Sequence, residues 1–258
     1  MKILFIGTGH MGSALISGIK SNNNFKEQIF VFNRTYEKSL DVSKKYNVIP
    51  VKKLEHLNYD IVVLGIRPAD FEQLAVDLKK FTLEKQTFVT MINALSIKQA
   101  SDIFGNNKLN IVRIMPNMNA AIQQSVTAYS SNKINSEVTK FVIEMFSNCG
   151  TVEEIPEDKF PAFTALAGCS PSYIFTFLNG FYKYALKNGF SKDQAYRIMK
   201  NTIIGSTEYS TNSDNSFDEL INSICVPNGS TIEGQKVLET NNFQDIIIKA
   251  LEAAKQKS

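Results

Sequence analysis

Six residues near the start, Gly7-Thr8-Gly9-His10-Met11-Gly12, have the spacing GxGxxG. Alone the pattern is weak. Its setting makes it specific, because an apolar run ends at Ile6 and a helical pattern opens at Met11. The first glycine allows a tight turn, the second lets backbone approach a pyrophosphate, and the third lets helix and strand pack closely. The helix start then offers free N–H groups and a positive dipole end to phosphates. Dinucleotide binding is therefore expected of Gly7, Thr8, Gly9, His10, Met11 and Gly12, with a purely structural turn as the weaker alternative.

The second apolar run ends at Phe32 and leads into Asn33-Arg34-Thr35. NAD sites usually carry Asp or Glu here for the ribose hydroxyls. This chain offers an amide, a guanidinium and a hydroxyl instead. A carboxylate would repel a 2′-phosphate, whereas Arg34 can grip one bidentately. NADPH is the expected cofactor and NADH use stays open; the plainer reading leaves Arg34 as a solvated loop residue. Two further turns, Gly65-Ile66-Arg67-Pro68 and Arg113-Ile114-Met115-Pro116-Asn117, also follow apolar runs. Ligands of open α/β sheets sit at the carboxyl ends of strands, where strand order reverses. Ile66, Arg67, Pro68 and Asn117 thus join the cofactor candidates, with a structural role equally open.

The elements that must position these residues fall into two halves. Residues 2–6, 29–32, 61–64, 87–91 and 110–115 read as buried strands, with helices near 11–21, 36–45, 69–80 and 96–103. That alternation implies an N-terminal, doubly wound parallel sheet of Rossmann type over residues 1–155. From about Pro156 to residue 258 no strand run is seen, and helices are expected at 157–167, 171–188, 191–211, 229–240 and 243–256. This all-helical domain is apolar on more than one face, which suggests burial against a partner subunit.

Composition narrows the alternatives. The 258 residues carry a net charge of +3 without a basic stripe, so nucleic acid is not an expected partner. The longest apolar stretch, Ile61–Ile66, falls far short of a membrane span, and glycines interrupt the only signal-like N-terminal run. Cys149, Cys169 and Cys225 lack metal spacing and suggest a reducing, cytoplasmic setting without a bound metal. His10 reads as a variable loop position and His56 as part of a polar surface stretch.

Over essentially its whole length the chain resembles pyrroline-5-carboxylate reductases. The resemblance rests on the glycine turn, Asn33-Arg34-Thr35, Ile66-Arg67-Pro68, Met115-Pro116-Asn117, Thr164-Ala165-Leu166-Ala167-Gly168-Cys169-Ser170-Pro171-Ser172-Tyr173 and Val226-Pro227-Asn228-Gly229-Ser230-Thr231, in the family's order. It implies NAD(P)H reduction of L-1-pyrroline-5-carboxylate to L-proline, the last step of proline biosynthesis. It also implies a helical domain that forms a homodimer, which can assemble further, and an active site between the cofactor and that domain. By the same resemblance Thr231 hydrogen-bonds the ring nitrogen, and the loop Asn228, Gly229, Ser230, Thr231 holds the substrate carboxylate through N–H groups of its last three residues. Glu157 is carried over as a substrate-binding carboxylate, and Asn93, in the loop after Met91, as a cofactor contact.

Several positions depart from the family. Ile92-Asn93-Ala94-Leu95 stands where Ala-Ala-Gly-Ile is usual, Met118-Asn119 where Thr-Pro is usual, Val226 where serine is usual and Asn228 where glycine is usual. Asn tolerates the positive φ that glycine would adopt. Reduction of another cyclic imine, or a non-catalytic homologue, are the alternatives; the latter predicts erosion of the glycine turn and Thr231, and both are intact. A β-hydroxyacid dehydrogenase would need a lysine that 168–180 does not contain.

Overall fold

The structure, a computed structural model, describes residues 1–55, 58–81, 86–133 and 136–258; His56 lies outside the described residues. One sheet runs in the order β3-β2-β1-β4-β5-β6-β7-β8. Its parallel part comprises β1 (Lys2–Ile6), β2 (Gln28–Phe32), β3 (Ile49–Val51), β4 (Ile61–Leu64), β5 (Thr87–Thr90) and β6 (Asn110–Met115). Strand order reverses between β1 and β4, the dinucleotide position of a doubly wound sheet. The helices α1 (His10–Ser21), α2 (Tyr36–Tyr46), α3 (Phe71–Leu78), α4 (Ile97–Phe104) and α5 (Glu137–Ser147) alternate with these strands and those that follow.

Successive strand residues enter opposite cores. Ile3 and Phe5 pack with Leu15, Ile16 and Ile19 of α1 and with Val142 and Phe146 of α5. Leu4 and Ile6 pack with Phe71 and Leu78 of α3 and with Ile97 and Phe104 of α4. Each such buried side chain contributes about 1.5–3 kcal/mol. That is why the central runs are apolar without alternation. Cys149 lies in the first core, where burial pushes its thiol up to about 12.

Three strands were not legible as apolar runs. β3 carries Pro50 on the sheet edge, where a missing N–H is tolerated. β7 (Ser125–Ser131) interleaves Ser and Thr with Val126, Ala128 and Tyr129 and runs antiparallel to β6, and β8 (Gly150–Glu154) ends in two carboxylates.

The chain forms two compact units, Met1–Pro171 with Ala254–Ser258, and Ser172–Ala253. The expected change at 155/156 marks a change of element type, while the first unit's packing continues to Pro171. Phe160 is buried against Met115 and Ala128, which keeps the segment after 156 on the sheet. The helix expected at 157–167 is three pieces: a 3-10 turn at Glu157–Lys159, α6 (Phe160–Phe163) and a π-helical stretch at Thr164–Cys169. These continue into α7 (Ser170–Lys187), followed by α8 (Lys192–Thr211), α9 (Phe217–Ile224), α10 (Ser230–Thr240) and α11 (Phe243–Lys255). The short helix α9 is an addition to the sequence reading.

Candidate active site

The glycine turn separates residues needed by the protein from one that is not. Gly7 has φ +84°, and a Cβ there would lie 2.6 Å from the Gly65 carbonyl oxygen. A Cβ on Gly65 would lie 2.5 Å from the Gly7 oxygen, and one on Gly12 2.8 Å from it. The turns after β1 and β4 therefore pass at backbone contact, and Gly65 is as necessary as Gly7. Its signal in the sequence is a glycine directly after an apolar run, in register with Gly7. Gly9 differs: a Cβ there meets nothing within 4 Å, and φ is an ordinary −65°. The open space above Gly9 is the room a pyrophosphate would need. Gly9 is also the N-cap of α1, so the first N–H groups of the helix, on His10, Met11 and Gly12, have no side-chain cap. The turn lines a cleft of about 590 Å³ that also includes Thr8, His10, Asn33, Lys38 and Lys45. The residues fit a dinucleotide.

Asn33 supports this turn. Its Oδ1 accepts from the Thr8 N–H at 2.8 Å, and its Nδ2 donates to the Thr8 hydroxyl at 2.7 Å and the Ser39 hydroxyl at 3.1 Å. Arg34 and Thr35 are exposed just beyond β2. Ile66 is half-buried and packs within reach of the Gly7 turn, Pro68 opens a 3-10 turn, and Arg67 pairs with Asp70 at 2.9 Å.

Two expected ligand groups, Asn117 and Glu157, make internal bonds. Asn117 is buried; its Oδ1 accepts from the Asn119 N–H at 3.0 Å and its Nδ2 donates to the Ala167 carbonyl at 3.1 Å. It satisfies a carbonyl in the π-helical stretch, where the i→i+4 ladder is broken. Glu157 places one carboxylate oxygen 2.9 Å from the buried Arg113 guanidinium and 3.0 Å from the Ile97 N–H at the start of α4. Its charge balances Arg113, which also lies 4.3 Å over the Phe160 ring. Asn93 is half-buried before Ala94, whose φ of +58° falls where the family's glycine would sit.

In the second unit the loop after α9 forms a hydrogen-bonded turn. The Gly229 N–H donates to the Val226 carbonyl at 3.0 Å, Pro227 takes the second position, and Asn228 has φ +62°, the pattern of a type II turn. The Gly229 N–H is thus used within the turn. The free donors are the N–H groups of Ser230 and Thr231 at the start of α10, whose N-cap is Gly229. Ser230 and Thr231 are both exposed.

Caps elsewhere sharpen the contrast. Ser96, Ser136, Ser191 and Ser216 cap α4, α5, α8 and α9 with side-chain hydrogen bonds. Helices α1 and α10 have glycine there instead, which leaves both N-termini open to an anion.

Family models match two stretches: pyrroline-5-carboxylate reductase dimerisation at residues 157–258, and NADP oxidoreductase, coenzyme F420-dependent, at residues 2–94. A pyrroline-5-carboxylate reductase of Aquifex aeolicus is 31% identical over 100% of this chain and 96% of its own length. Pyrroline-5-carboxylate reductase 2 of Bacillus subtilis is 30% identical over 100% and 94%. Among solved structures, the enzyme of Streptococcus pyogenes is 32% identical with a TM-score of 0.89, over 100% of this chain and 97% of that one. The Plasmodium falciparum pyrroline carboxylate reductase, solved with NADP bound, is 28% identical with a TM-score of 0.90, over 100% and 96%. With its reversed sheet order, its open glycine turn and full-length likeness on both sides, the chain belongs to the pyrroline-5-carboxylate reductase family.

Proposed function

We propose that the protein is an oxidoreductase that reduces L-1-pyrroline-5-carboxylate to L-proline, the last step of proline biosynthesis, and prefers NADPH to NADH. The observation that carries this reading is the pair of glycine-capped helices, α1 and α10, in a chain that caps α4, α5, α8 and α9 with serine side chains. Two anions are needed: the cofactor pyrophosphate at the first helix and the substrate carboxylate at the second. When bound, the reduced nicotinamide supplies the hydride. The Ser230 and Thr231 N–H groups hold the substrate carboxylate, and the Thr231 hydroxyl hydrogen-bonds the ring nitrogen. A protonated imine is already electrophilic, so these contacts serve mainly to orient it. Arg34 grips the 2′-phosphate, and Gly9 leaves the pyrophosphate room. Asn33, Asn117 and Glu157 act on the site by holding backbone in place.

The protein is expected to act as a homodimer in the cytoplasm. No helix among the described residues is long and apolar enough to cross a membrane. Solution mass separates a dimer from an assembly of dimers.

The test is NADPH oxidation by the purified protein with pyrroline-5-carboxylate, beside pyrroline-2-carboxylate and beside NADH. No turnover with the first substrate overturns the reading. Thr231→Ala is expected to lower kcat/KM by about 10²-fold, in the range of lost orienting contacts, with NADPH affinity nearly unchanged. Equal losses in both would remove the role given to Thr231.

A further inference from the structure

The strands β2, β1 and β4 are neighbours, so the turns after β2 and β4 flank the glycine turn at the same sheet edge. Arg34 follows the first and Arg67 the second. Between Arg67 and α3 stands Asp70, in the N-cap position of that helix but without a side-chain bond to its N–H groups. Its carboxylate turns back to Arg67: Nε to Oδ2 is 2.9 Å and Nη2 to Oδ1 is 3.3 Å. The cap is forgone for a guanidinium.

We propose that Asp70 limits the preference for NADPH, by keeping a carboxylate on the Arg67 guanidinium, across the glycine turn from the turn that carries Arg34, where the 2′-phosphate arrives. The inference rests on the reading that Arg34 is the phosphate partner. A 2′-phosphate carries about −1.5 to −2 charges at neutral pH, and here it meets two cations and one like charge. NADH presents a neutral hydroxyl at that position and is not repelled by the carboxylate. The Arg67 side chain is 75% exposed and that of Asp70 39%, so the pair is screened by water and easily parted. The hydrogen bond from Arg67 holds the Asp70 carboxyl below the usual carboxylate range, and Arg34 adds to this. The negative charge therefore persists at neutral and mildly acid pH.

The experiment is calorimetric binding of NADPH, NADH, 2′,5′-ADP and 5′-AMP to the full-length protein, at low and at physiological salt. Asp70→Asn should tighten NADPH and 2′,5′-ADP about three- to tenfold, as expected for removing one nearby like charge at a solvated site. NADH and 5′-AMP should stay within about twofold, and the gain should shrink as salt rises. Asp70→Ser removes the charge with a residue that suits an N-cap and must behave like Asp70→Asn, whereas Asp70→Glu keeps the charge and should show no gain. Unchanged or weaker NADPH binding in both neutral variants overturns the proposal, as does an equal change for NADPH and NADH. Arg34→Ala is read separately: if it leaves 2′,5′-ADP affinity intact, the role given to Arg34 fails, whatever Asp70→Asn does.

Discussion

Gly7 and Gly9 belong to one motif for different reasons, and substitution separates them. An alanine at Gly7 meets the Gly65 carbonyl oxygen at 2.6 Å in a left-handed backbone conformation. Gly7→Ala should destabilise the fold by about 2–3 kcal/mol in urea unfolding without ligand. An alanine at Gly9 meets open space, so its cost should stay within about 1 kcal/mol, that of a changed helix cap. Its cofactor affinity should nonetheless fall tenfold or more, because the methyl group takes space meant for phosphate. A Gly9→Ala protein that binds NADPH as tightly as the parent would show that no ligand approaches this backbone. The spacing alone marks both glycines and cannot say which serves the protein and which the ligand.

Among elements, the π-helical stretch at Thr164–Cys169 has most to test. It lies in the segment whose sequence reads as a plain amphipathic helix, because propensity and periodicity do not distinguish one wide turn. One bond that sustains it comes from elsewhere in the chain, the Asn117 amide on the Ala167 carbonyl, beside a local one from the Ser170 hydroxyl to the Ala165 carbonyl. Asn117→Ala leaves the Asn119 N–H and the Ala167 carbonyl without this partner. The expected cost is about 1–3 kcal/mol, that of a buried hydrogen bond lost on one side. A change below about 0.5 kcal/mol would mean that the bond does not support the π turn. A leucine spacing or a cap can be read along one segment, and Ser191 before α8 is such a case, with Gln194 completing its capping box. A bond across fifty residues cannot.

At the scale of the molecule, the second unit does not bury a core of its own. Phe175, Tyr184, Tyr209 and Phe217 are 63–71% exposed, and α10 and α11 bury no residue. A family model for dimerisation covers this region, and a partner that covers these side chains supplies the missing apolar contact. Melting temperature should therefore rise with protein concentration, as for any assembly that binds only the folded state. A melting temperature constant over a hundredfold dilution, with a monomeric mass, would exclude this account.

The sequence by itself determined the parallel strands, the glycine turn, the positive-φ asparagine at 228 and the two-part chain. These follow from local rules: apolar runs bury, glycine and asparagine accept unusual φ, and neighbouring residues share one element. Only the tertiary structure decided that Gly65 answers Gly7, which internal bonds Asn33, Asn117 and Glu157 make, and that the first unit runs on to Pro171. It also showed that the Gly229 N–H is closed within its own turn and left Asp70 on Arg67 instead of on α3. The physical reason is the same in each case. A polar side chain has several possible partners, and which one it takes is settled by residues far away in the chain, brought near by packing.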